Sequence, residues 1–308
     1  DVRDEKNAVF AADAVGRLSG IPGVAAVTAG PGLTNTITAV KNAQLAQSPL
    51  IVFGGATATI LRGRGSLQDI DQMSLMNPHV KWATSVGSVH DLVTVVERAF
   101  RIAREGVPGP VFIEVPVDLL YDEETVRGWY FKETGVDRAK DVGSKVLKLY
   151  LERHLNKVFK PGPHPEDNPV LDVRALDPEP EALEPVLSAL SKCSKPVLVV
   201  GSQATLEPEE IEQLSSAVRK LGLPTYLGGM ARGLLGKDDP LQLRHKRGKA
   251  LKEADLVIVA GFPFDFRLGY GRSINKKATL IAANRSSSDL KKNRRPDHGF
   301  RCDPGRFI

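Results

Sequence analysis

Short apolar runs of strand length alternate with helical patterns along most of the chain, and glycines separate them. Residues 49–53, 196–200 and 256–260 are examples, rich in Val, Ile or Leu and almost free of polar side chains. Continuous runs of this kind are typical of parallel strands that are covered by helices on both faces. The pattern therefore predicts an α/β fold with doubly wound parallel sheets.

The alternation falls into two blocks, and 308 residues suffice for about two domains. In the first block, residues 1–122, the predicted strands and helices are residues 24–29, 33–47, 50–53, 89–104 and 110–115. The second block covers residues 181–292. Residues 123–180 contain a proline-rich cluster and one helical stretch near residues 146–158, which indicates a linker. Residues 293–308 show neither period and are predicted to form an irregular tail.

Composition argues against several classes of function. Lys and Arg total 42 against 37 Asp and Glu, and much of this excess lies in residues 291–306 rather than on a basic face with aromatics, so nucleic-acid binding is not expected. Cys193 and Cys302 fit neither a disulfide framework nor a metal knuckle, and no metal site is predicted. The apolar runs are far shorter than the roughly 20 residues that cross a bilayer, so no membrane segment is expected here.

Polar residues near the start stand where a ligand could bind. Glu5 opens a helical segment with an Ala-rich face and, taken alone, is a first-turn acid favoured by the helix dipole. The Gly-Pro-Gly segment at residues 30–32 follows a predicted strand and is either a structural turn or a place where backbone amides face a ligand. Thr34 and Asn35 either cap the following helix or point into a pocket. Gln68 lies in a polar loop between strands.

Taken together, these residues resemble the pyrimidine-binding domain of the acetolactate synthase superfamily of thiamine-diphosphate enzymes. The resemblance rests on Glu5 with Asp13 and Arg17, residues 27–35, residues 48–52, Gln68, Lys81 and residues 109–116, in that order. Residues 227–236 and 264–271 further resemble the 2-hydroxyacyl-CoA lyases within that superfamily. The resemblance covers most of residues 1–292.

The resemblance implies a lyase that cleaves the C1–C2 bond of a 2-hydroxyacyl-CoA, releasing a shortened aldehyde and formyl-CoA. In such enzymes the glutamate matching Glu5 hydrogen-bonds the aminopyrimidine of thiamine diphosphate and stabilises the imino tautomer that removes the thiazolium C2 proton. Burial of Glu5 is expected to match its proton affinity to that task. The resemblance assigns catalytic roles to Glu5 and Gln68. It assigns cofactor contacts to Glu5, Gly30, Pro31, Gly32 and Asn35.

The second block resembles the central domain that holds FAD in acetolactate synthases, which makes FAD a candidate cofactor. The candidate nucleotide contacts near the strand ends are Gly201, Gly228, Arg232, Gly261 and Asp265. Asp265 with Arg267 fits a surface ion pair equally well, and the sequence does not decide between the two.

Further expectations also come from the resemblance. A Gly-Asp-Gly segment that binds Mg²⁺ and the diphosphate is expected in a third domain after residue 308. A strand and a helix are expected before Glu5. Because the diphosphate site is expected elsewhere, residues 1–308 alone are expected to be inactive. Asp4 stands where the family commonly has His or Asn. The complete protein is expected to be a homodimer. Similar proteins are tethered to the endoplasmic reticulum by an N-terminal helix, and the cytoplasm and the mitochondrion are the alternatives.

Two other functions fit the same residues. One is an FAD-containing acetolactate synthase, which joins two molecules of the 2-oxo acid pyruvate and is distinguished by bound flavin and acetolactate formation. The other is a non-catalytic subunit that binds a nucleotide in its central domain. A Gly-Asp-Gly segment in the continuing sequence favours either enzyme over the subunit.

Overall fold

The chain folds into two compact units, Asp1–Val173 and Arg174–Ile308. The computed structural model describes residues 1–136, 141–164, 173 and 176–308. Each unit is built on its own parallel sheet with helices packed against it. The prediction of an α/β protein with two parallel sheets is therefore confirmed.

The first unit contains a four-stranded sheet in the order β1-β2-β4-β3. Its strands are β1 Gly23–Val27, β2 Leu50–Ala56, β3 Trp82–Ser85 and β4 Pro110–Pro116. Its helices are α1 Glu5–Ser19, α2 Pro31–Thr34, α3 Ile37–Ala46, α4 Gln72–Met76, α5 Val89–Arg104, α6 Glu123–Thr134 and α7 Val142–Val158. The single helix predicted at residues 33–47 is thus two helices, α2 and α3.

Helices cover both faces of this sheet because alternate residues of the central strands point in opposite directions. Val52 and Phe112 pack with α1 and α3, whereas Ile51 and Ile113 pack with α5. Helix α1 lies unusually close to the start of the sheet. A Cβ added at Gly16 would lie 2.3 Å from the Pro49 carbonyl oxygen. The glycine there is therefore required for packing, and it fixes the position of α1.

The predicted linker, residues 123–180, contains two helices where the sequence predicts one, near residues 146–158. Helices α6 and α7 belong to the first unit, where Val126, Leu151 and Leu155 are fully buried in a shared cluster. The sequence did not predict α6 because its twelve residues are mostly charged or polar and only Val126 and Tyr130 are buried. Parts of the predicted linker, residues 137–140, 165–172 and 174–175, lie outside the described residues.

The second unit contains a five-stranded parallel sheet in the order β6-β5-β7-β8-β9. Its strands are β5 Pro196–Val200, β6 Thr225–Leu227, β7 Leu256–Ala260, β8 Thr279–Ala283 and β9 His298–Phe300. Its helices are α8 Glu184–Lys192, α9 Ile211–Leu221, α10 Arg247–Glu253, α11 Ser287–Leu290 and α12 Pro304–Phe307. One face of the sheet packs with α8 and α9 and the other with α10 and α11.

The prediction of an irregular tail at residues 293–308 is wrong. Strand β9 pairs in parallel with β8, and Cys302 is buried beyond it. The buried Asp303 carboxylate accepts hydrogen bonds from the buried Arg285 guanidinium and from two backbone amides of α12. The sequence pattern missed this segment because backbone pairing, a buried ion pair and a few separated apolar residues such as Phe300 and Phe307 hold it, and none of these produces an apolar period.

None of the helices in the part of the chain that the structure describes is both long and apolar enough to cross a bilayer.

Candidate functional site

Glu5 and Asn35 meet at the start of α1, although they are 30 residues apart in sequence. The Asn35 Nδ2 atom donates to Glu5 Oε2 at 2.7 Å and lies 3.2 Å from Asp4 Oδ1. Asp4 is the N-cap of α1 and accepts a hydrogen bond from the Lys6 backbone amide. The helix start and one carboxamide therefore fix the Glu5 carboxylate in place.

The Gly-Pro-Gly turn at residues 30–32 lies directly against this carboxylate. A Cβ added at Gly32 would lie 3.6 Å from Glu5 Oε1 and only 2.6 Å from the Thr28 Cγ2 atom. Gly30 has φ of +61°, and its missing Cβ would lie 3.0 Å from the Cβ atom of Gln68. Only glycine combines this conformation with such close neighbours. The structure thus brings Glu5, the turn, Asn35 and Gln68 together, as the sequence predicts.

The expectation that Glu5 is buried is wrong for the described chain. Its side chain is partly exposed. The hydrogen bond from Asn35 lowers the pKa of the Glu5 carboxyl, and the nearby Asp4 charge opposes that effect. The carboxylate is consequently ionised at neutral pH and acts as a hydrogen-bond acceptor.

A cavity of about 500 Å³ opens beside the turn, at the carboxyl ends of β1, β2 and β4. Its wall is largely apolar, with Phe53, Leu67 and Val115 among its residues. Gln68 lines this cavity and also a second one of about 310 Å³, whose wall is part polar and part apolar and contains Arg62 and Glu114. Gln68, together with Ala56 and Thr57, therefore lies between the two cavities next to the turn.

Two further residues named by the sequence have structural roles. The Lys81 ammonium donates to the Ile102 carbonyl at 2.5 Å and to the Glu105 carbonyl, which satisfies carbonyls at the end of α5. The Thr34 hydroxyl donates to the Pro31 carbonyl at 3.0 Å and so does not point into the site. Of the two residues after the turn, Asn35 alone contacts Glu5 by its side chain among the described interactions.

Comparison with known proteins identifies a family whose domains include the residues of this site. Residues 1–75 match the thiamine pyrophosphate enzyme N-terminal TPP binding domain, and residues 183–308 match the thiamine pyrophosphate enzyme central domain. Thiamine pyrophosphate is another name for thiamine diphosphate. The chain belongs to the thiamine pyrophosphate enzymes. The first match contains Glu5, the Gly-Pro-Gly turn, Asn35 and Gln68, and the second contains β5 to β9.

Individual proteins with similar sequences show which enzymes of this family the chain resembles. The 2-hydroxyacyl-CoA lyase 2 of Danio rerio is 48% identical over 312 residues, which cover 100% of this chain and 50% of that protein. The protein of the same name from Caenorhabditis elegans is 51% identical over 294 residues, covering 95% and 45%. A probable acetolactate synthase of Mycobacterium bovis is 31% identical over 287 residues, covering 92% and 45%. The chain spans about half the length of these relatives.

The residues of this thiamine pyrophosphate enzyme fit the aminopyrimidine of the cofactor. Gly32 has no side chain, so one oxygen of Glu5 remains open toward the turn, while the other is held by Asn35. A flat heteroaromatic ring needs such a side-chain-free surface, and a ring nitrogen needs a fixed carboxyl partner.

Sequence reasoning missed two site residues of the thiamine pyrophosphate enzyme, Gln72 and Glu114. The Gln72 Oε1 atom accepts the Gly30 backbone N–H at 2.9 Å, and its Nε2 atom donates to Glu114. The Gly30 amide therefore does not face an incoming ligand, contrary to one of the two readings of the turn. Gln72 stands in a polar loop of the sequence, and the only signal for it is that it lies four residues after Gln68.

In the central domain, three of the five predicted nucleotide contacts lie close together. For the other two, the described residues show no contact with these three. Gly201, Gly228 and Gly261 meet around Phe262 at the ends of β5, β6 and β7. A Cβ added at Gly228 would lie 2.3 Å from a Phe262 ring carbon. Close packing explains these glycines without a ligand, because Gly228 lies on the Phe262 ring, Gly201 on the Gly261 carbonyl, and Gly261 on residues 203 and 204. A nucleotide site here stays a prediction.

The other two predicted nucleotide contacts are polar. Arg232 is exposed. Asp265 forms an ion pair with Arg267 at 2.7 Å and also accepts the Arg267 backbone amide. The ion pair that the sequence left as an alternative therefore forms.

Proposed function

We propose that this chain is the pyrimidine-binding and central part of a thiamine-diphosphate-dependent 2-hydroxyacyl-CoA lyase. The substrate is cleaved between C1 and C2 to an aldehyde and formyl-CoA. The single observation that carries the proposal is the Glu5 carboxylate, held by Asn35 against the Gly-Pro-Gly turn. The relatives named 2-hydroxyacyl-CoA lyase 2, which are 43% to 51% identical, support the choice of substrate.

Each residue has a role in this proposal. When bound, thiamine diphosphate would supply a nucleophilic carbon and an electron sink for carbon–carbon bond cleavage. Glu5 holds and releases a proton at a ring nitrogen of the aminopyrimidine, and Asn35 keeps the carboxylate oriented. Residues 30–32 form the surface against which the aminopyrimidine ring packs. Gln68 faces the reacting atoms from the wall between the two cavities.

Replacing Glu5 tests the proposal. In a protein extended to the full length of the relatives, Glu5→Gln should lower kcat for aldehyde release by about 10² to 10⁴, the usual contribution of a general acid–base group. Glu123→Gln is the matched control, since Glu123 is also the first residue of a helix and lies in an exposed pair with Arg127. Undiminished cleavage by the Glu5→Gln protein contradicts the proposal.

Acetolactate synthase with FAD is the second candidate. The relatives with that name are 31% identical, and the convergence of three glycines in the central domain is compatible with a nucleotide. Packing of Phe262 on Gly228 argues against it. Flavin absorbance in the purified protein together with acetolactate from pyruvate would replace the lyase proposal. Nucleotide binding without either activity would support a non-catalytic subunit.

The remaining parts of the proposal rest on the resemblance. They are a homodimer, Mg²⁺ bound with the diphosphate outside residues 1–308, and attachment to the endoplasmic reticulum. Sedimentation of the full-length protein tests the dimer. Loss of cleavage on chelation, restored by Mg²⁺, tests the metal, and cell fractionation tests the location.

A further inference from the structure

Gln72 is a buried polar residue next to the proposed cofactor site. It begins α4, a helix of five residues, and its side chain is only 2% exposed. A carboxamide is buried at little cost only when its donors and acceptor are all paired. The partners of Gln72 therefore show what the residue holds together.

The three partners of Gln72 lie at the carboxyl ends of three different strands. Its Oε1 atom accepts the backbone N–H of Gly30, at 2.9 Å, in the turn that follows β1. Its Nε2 atom donates to the Gly55 carbonyl of β2 at 2.9 Å and to Glu114 Oε1 of β4 at 3.0 Å. Both amide protons and the carbonyl oxygen are thus used, and one side chain joins the edge of the sheet to the turn.

Glu114 gives this connection a charged anchor. It is 4% exposed, and its second oxygen, Oε2, accepts a hydrogen bond from Arg62 at 2.7 Å. A buried carboxylate with a fixed charged partner has little freedom to move, so it holds the Gln72 amide in one orientation. The chain of contacts runs from Arg62, in the second cavity, through Glu114 and Gln72 to the Gly30 amide.

The orientation of the Gly30 amide matters because Gly30 sets the path of the turn. Its positive φ brings its Cα next to Gln68, and two residues later Gly32 faces Glu5. A change at the Gly30 peptide therefore shifts the surface that faces the carboxylate.

We propose that Gln72 is a positioning residue of the pyrimidine site. By holding the Gly30 amide, it keeps the Gly-Pro-Gly turn at the distance from Glu5 that a bound aminopyrimidine requires, and it thereby sets the affinity for thiamine diphosphate. This inference rests on the proposed function only as far as thiamine diphosphate binding, and not on the choice of substrate.

The test compares variants of the protein extended to the length of its relatives. Gln72→Met keeps the approximate size and removes all three hydrogen bonds. Gln72→Glu keeps an acceptor for Gly30 but places a carboxylate against Glu114. The double variant Gln72→Glu with Glu114→Gln restores a donor–acceptor pair between the two positions. Gln44→Met is the matched control, because Gln44 also makes side-chain hydrogen bonds in the first unit, to Lys41 and Pro78.

Two quantities are measured for each variant. They are the Kd for thiamine diphosphate with Mg²⁺, from calorimetric titration, and the melting temperature of the cofactor-free protein. Gln72→Met should raise the Kd about tenfold, as expected for the loss of a well-paired hydrogen bond. Gln72→Glu should raise it further, and the double variant should recover part of the loss. Gln44→Met should leave the Kd unchanged.

The outcomes separate the inference from the proposed function. A Gln72→Met protein with a lower melting temperature but an unchanged Kd shows that Gln72 is merely structural, and overturns the inference. If Gln72→Met does not fold, the double variant decides: no recovery of the Kd relative to Gln72→Glu overturns the inference. If the parent binds thiamine diphosphate but releases no aldehyde, the proposed reaction fails and the inference about Gln72 is still tested. A parent that does not bind the cofactor overturns both.

Discussion

The Asn35 carboxamide controls the protonation of Glu5. Its Nδ2 atom donates to both carboxylates at the start of α1, those of Asp4 and Glu5. Donation to the anion of Glu5 lowers the pKa of its carboxyl, whereas the charge of Asp4 raises it. Asn35 therefore favours the ionised form of Glu5, whereas the pKa of the Asp4 carboxyl is lowered mainly by Lys6. Replacement of Asn35 should consequently be visible in the titration of Glu5.

Replacing Asn35 by Ala should raise the pKa of Glu5, because the hydrogen bond that stabilises the carboxylate is lost and the repulsion from Asp4 remains. Asn35→Asp should raise it further by adding a third negative charge. The change is measured by NMR titration of the glutamate side-chain carboxyl carbons. Thr34→Ala is the control, since the Thr34 hydroxyl binds the Pro31 carbonyl and not Glu5. An unchanged Glu5 titration in Asn35→Ala would show that Asn35 does not set the pKa.

The sequence predicts the residues proposed to contact the cofactor. It does not predict Gln72 and Glu114, which hold the turn in place. Glu5, Asn35 and the glycines of the turn belong to an ordered set of residue types, and that order is readable without coordinates. Gln72 and Glu114 are different, because their role depends on which strand ends lie together. Glu114 is the fifth residue of a strand whose other side chains are apolar, and only the sheet order shows that it faces Gln72.

At the scale of elements, a hydrogen-bonded group around Asp118 joins α6 and α7 to the rest of the first unit. Asp118 Oδ2 accepts the Thr59 and Tyr130 hydroxyls at 2.6 and 2.8 Å. Since the Thr59 hydroxyl proton goes to Asp118, the contact of 2.8 Å between Thr59 and His154 requires His154 Nε2 to be the donor. Burial lowers the pKa of His154 below its ordinary value of 6.5, and Asp118 opposes the shift.

This shift predicts a loss of stability in mild acid. When the folded pKa of a histidine is below its unfolded pKa, the unfolded chain binds more protons, so stability falls as the pH decreases from about 6.5 toward the folded pKa. The melting temperature should consequently drop between pH 7.5 and 5.5 by more in the parent than in His154→Gln, whose amide can still donate to Thr59. His245→Gln, an exposed control in the second unit, should behave like the parent. Equal drops in the parent and in His154→Gln would argue against this reading.

The ion pair between Arg285 and Asp303 attaches β9 and α12 to the second sheet. Both side chains are about 5% exposed or less, and Arg285 also binds Glu207 at 2.8 Å. Arg285→Met should lower the free energy of unfolding by about 3 to 5 kcal/mol, because it leaves the Asp303 charge buried and unpaired. Lys249→Met removes an exposed pair with Glu253 and should change stability by less than about 1 kcal/mol. Denaturant titration of both variants measures the difference, and similar losses would contradict the assignment.

Elements with a strong apolar period were predicted from the sequence, and the short edge strand β6 was also predicted, at residues 225–227. The edge strands β3 and β9 were not. Helix α5 spans the predicted residues 89–104, and β5 spans the predicted residues 196–200. Strand β3 is an edge strand of four half-buried residues, and β9 has three residues. Such strands are defined by hydrogen bonds to a neighbour rather than by burial, so their residues carry no regular apolar pattern.

At the scale of the whole molecule, each unit has hydrophobic clusters made from its own strands and helices. In the second unit, two clusters lie on opposite faces of one sheet, and Phe300 and Phe307 from the last residues of the chain pack against one of them. The match to the central domain of thiamine pyrophosphate enzymes likewise extends to residue 308. The second unit therefore includes β9 and α12 and extends beyond residue 292, where the apolar pattern places its boundary.

This difference in boundary predicts the behaviour of two fragments. Residues 176–308 should fold alone and unfold cooperatively, because their sheet, both clusters and the Arg285–Asp303 pair are intact. Residues 176–292 should be far less stable, because β8 loses β9 on one side and Arg285 loses Asp303, keeping only Glu207 as an acidic partner. Adding Arg285→Met to the shorter fragment should recover part of its stability by removing a charge that has lost its buried partner Asp303. Circular dichroism during thermal unfolding distinguishes the fragments, and equal stability of the two would mean that residues 293–308 are dispensable for the fold.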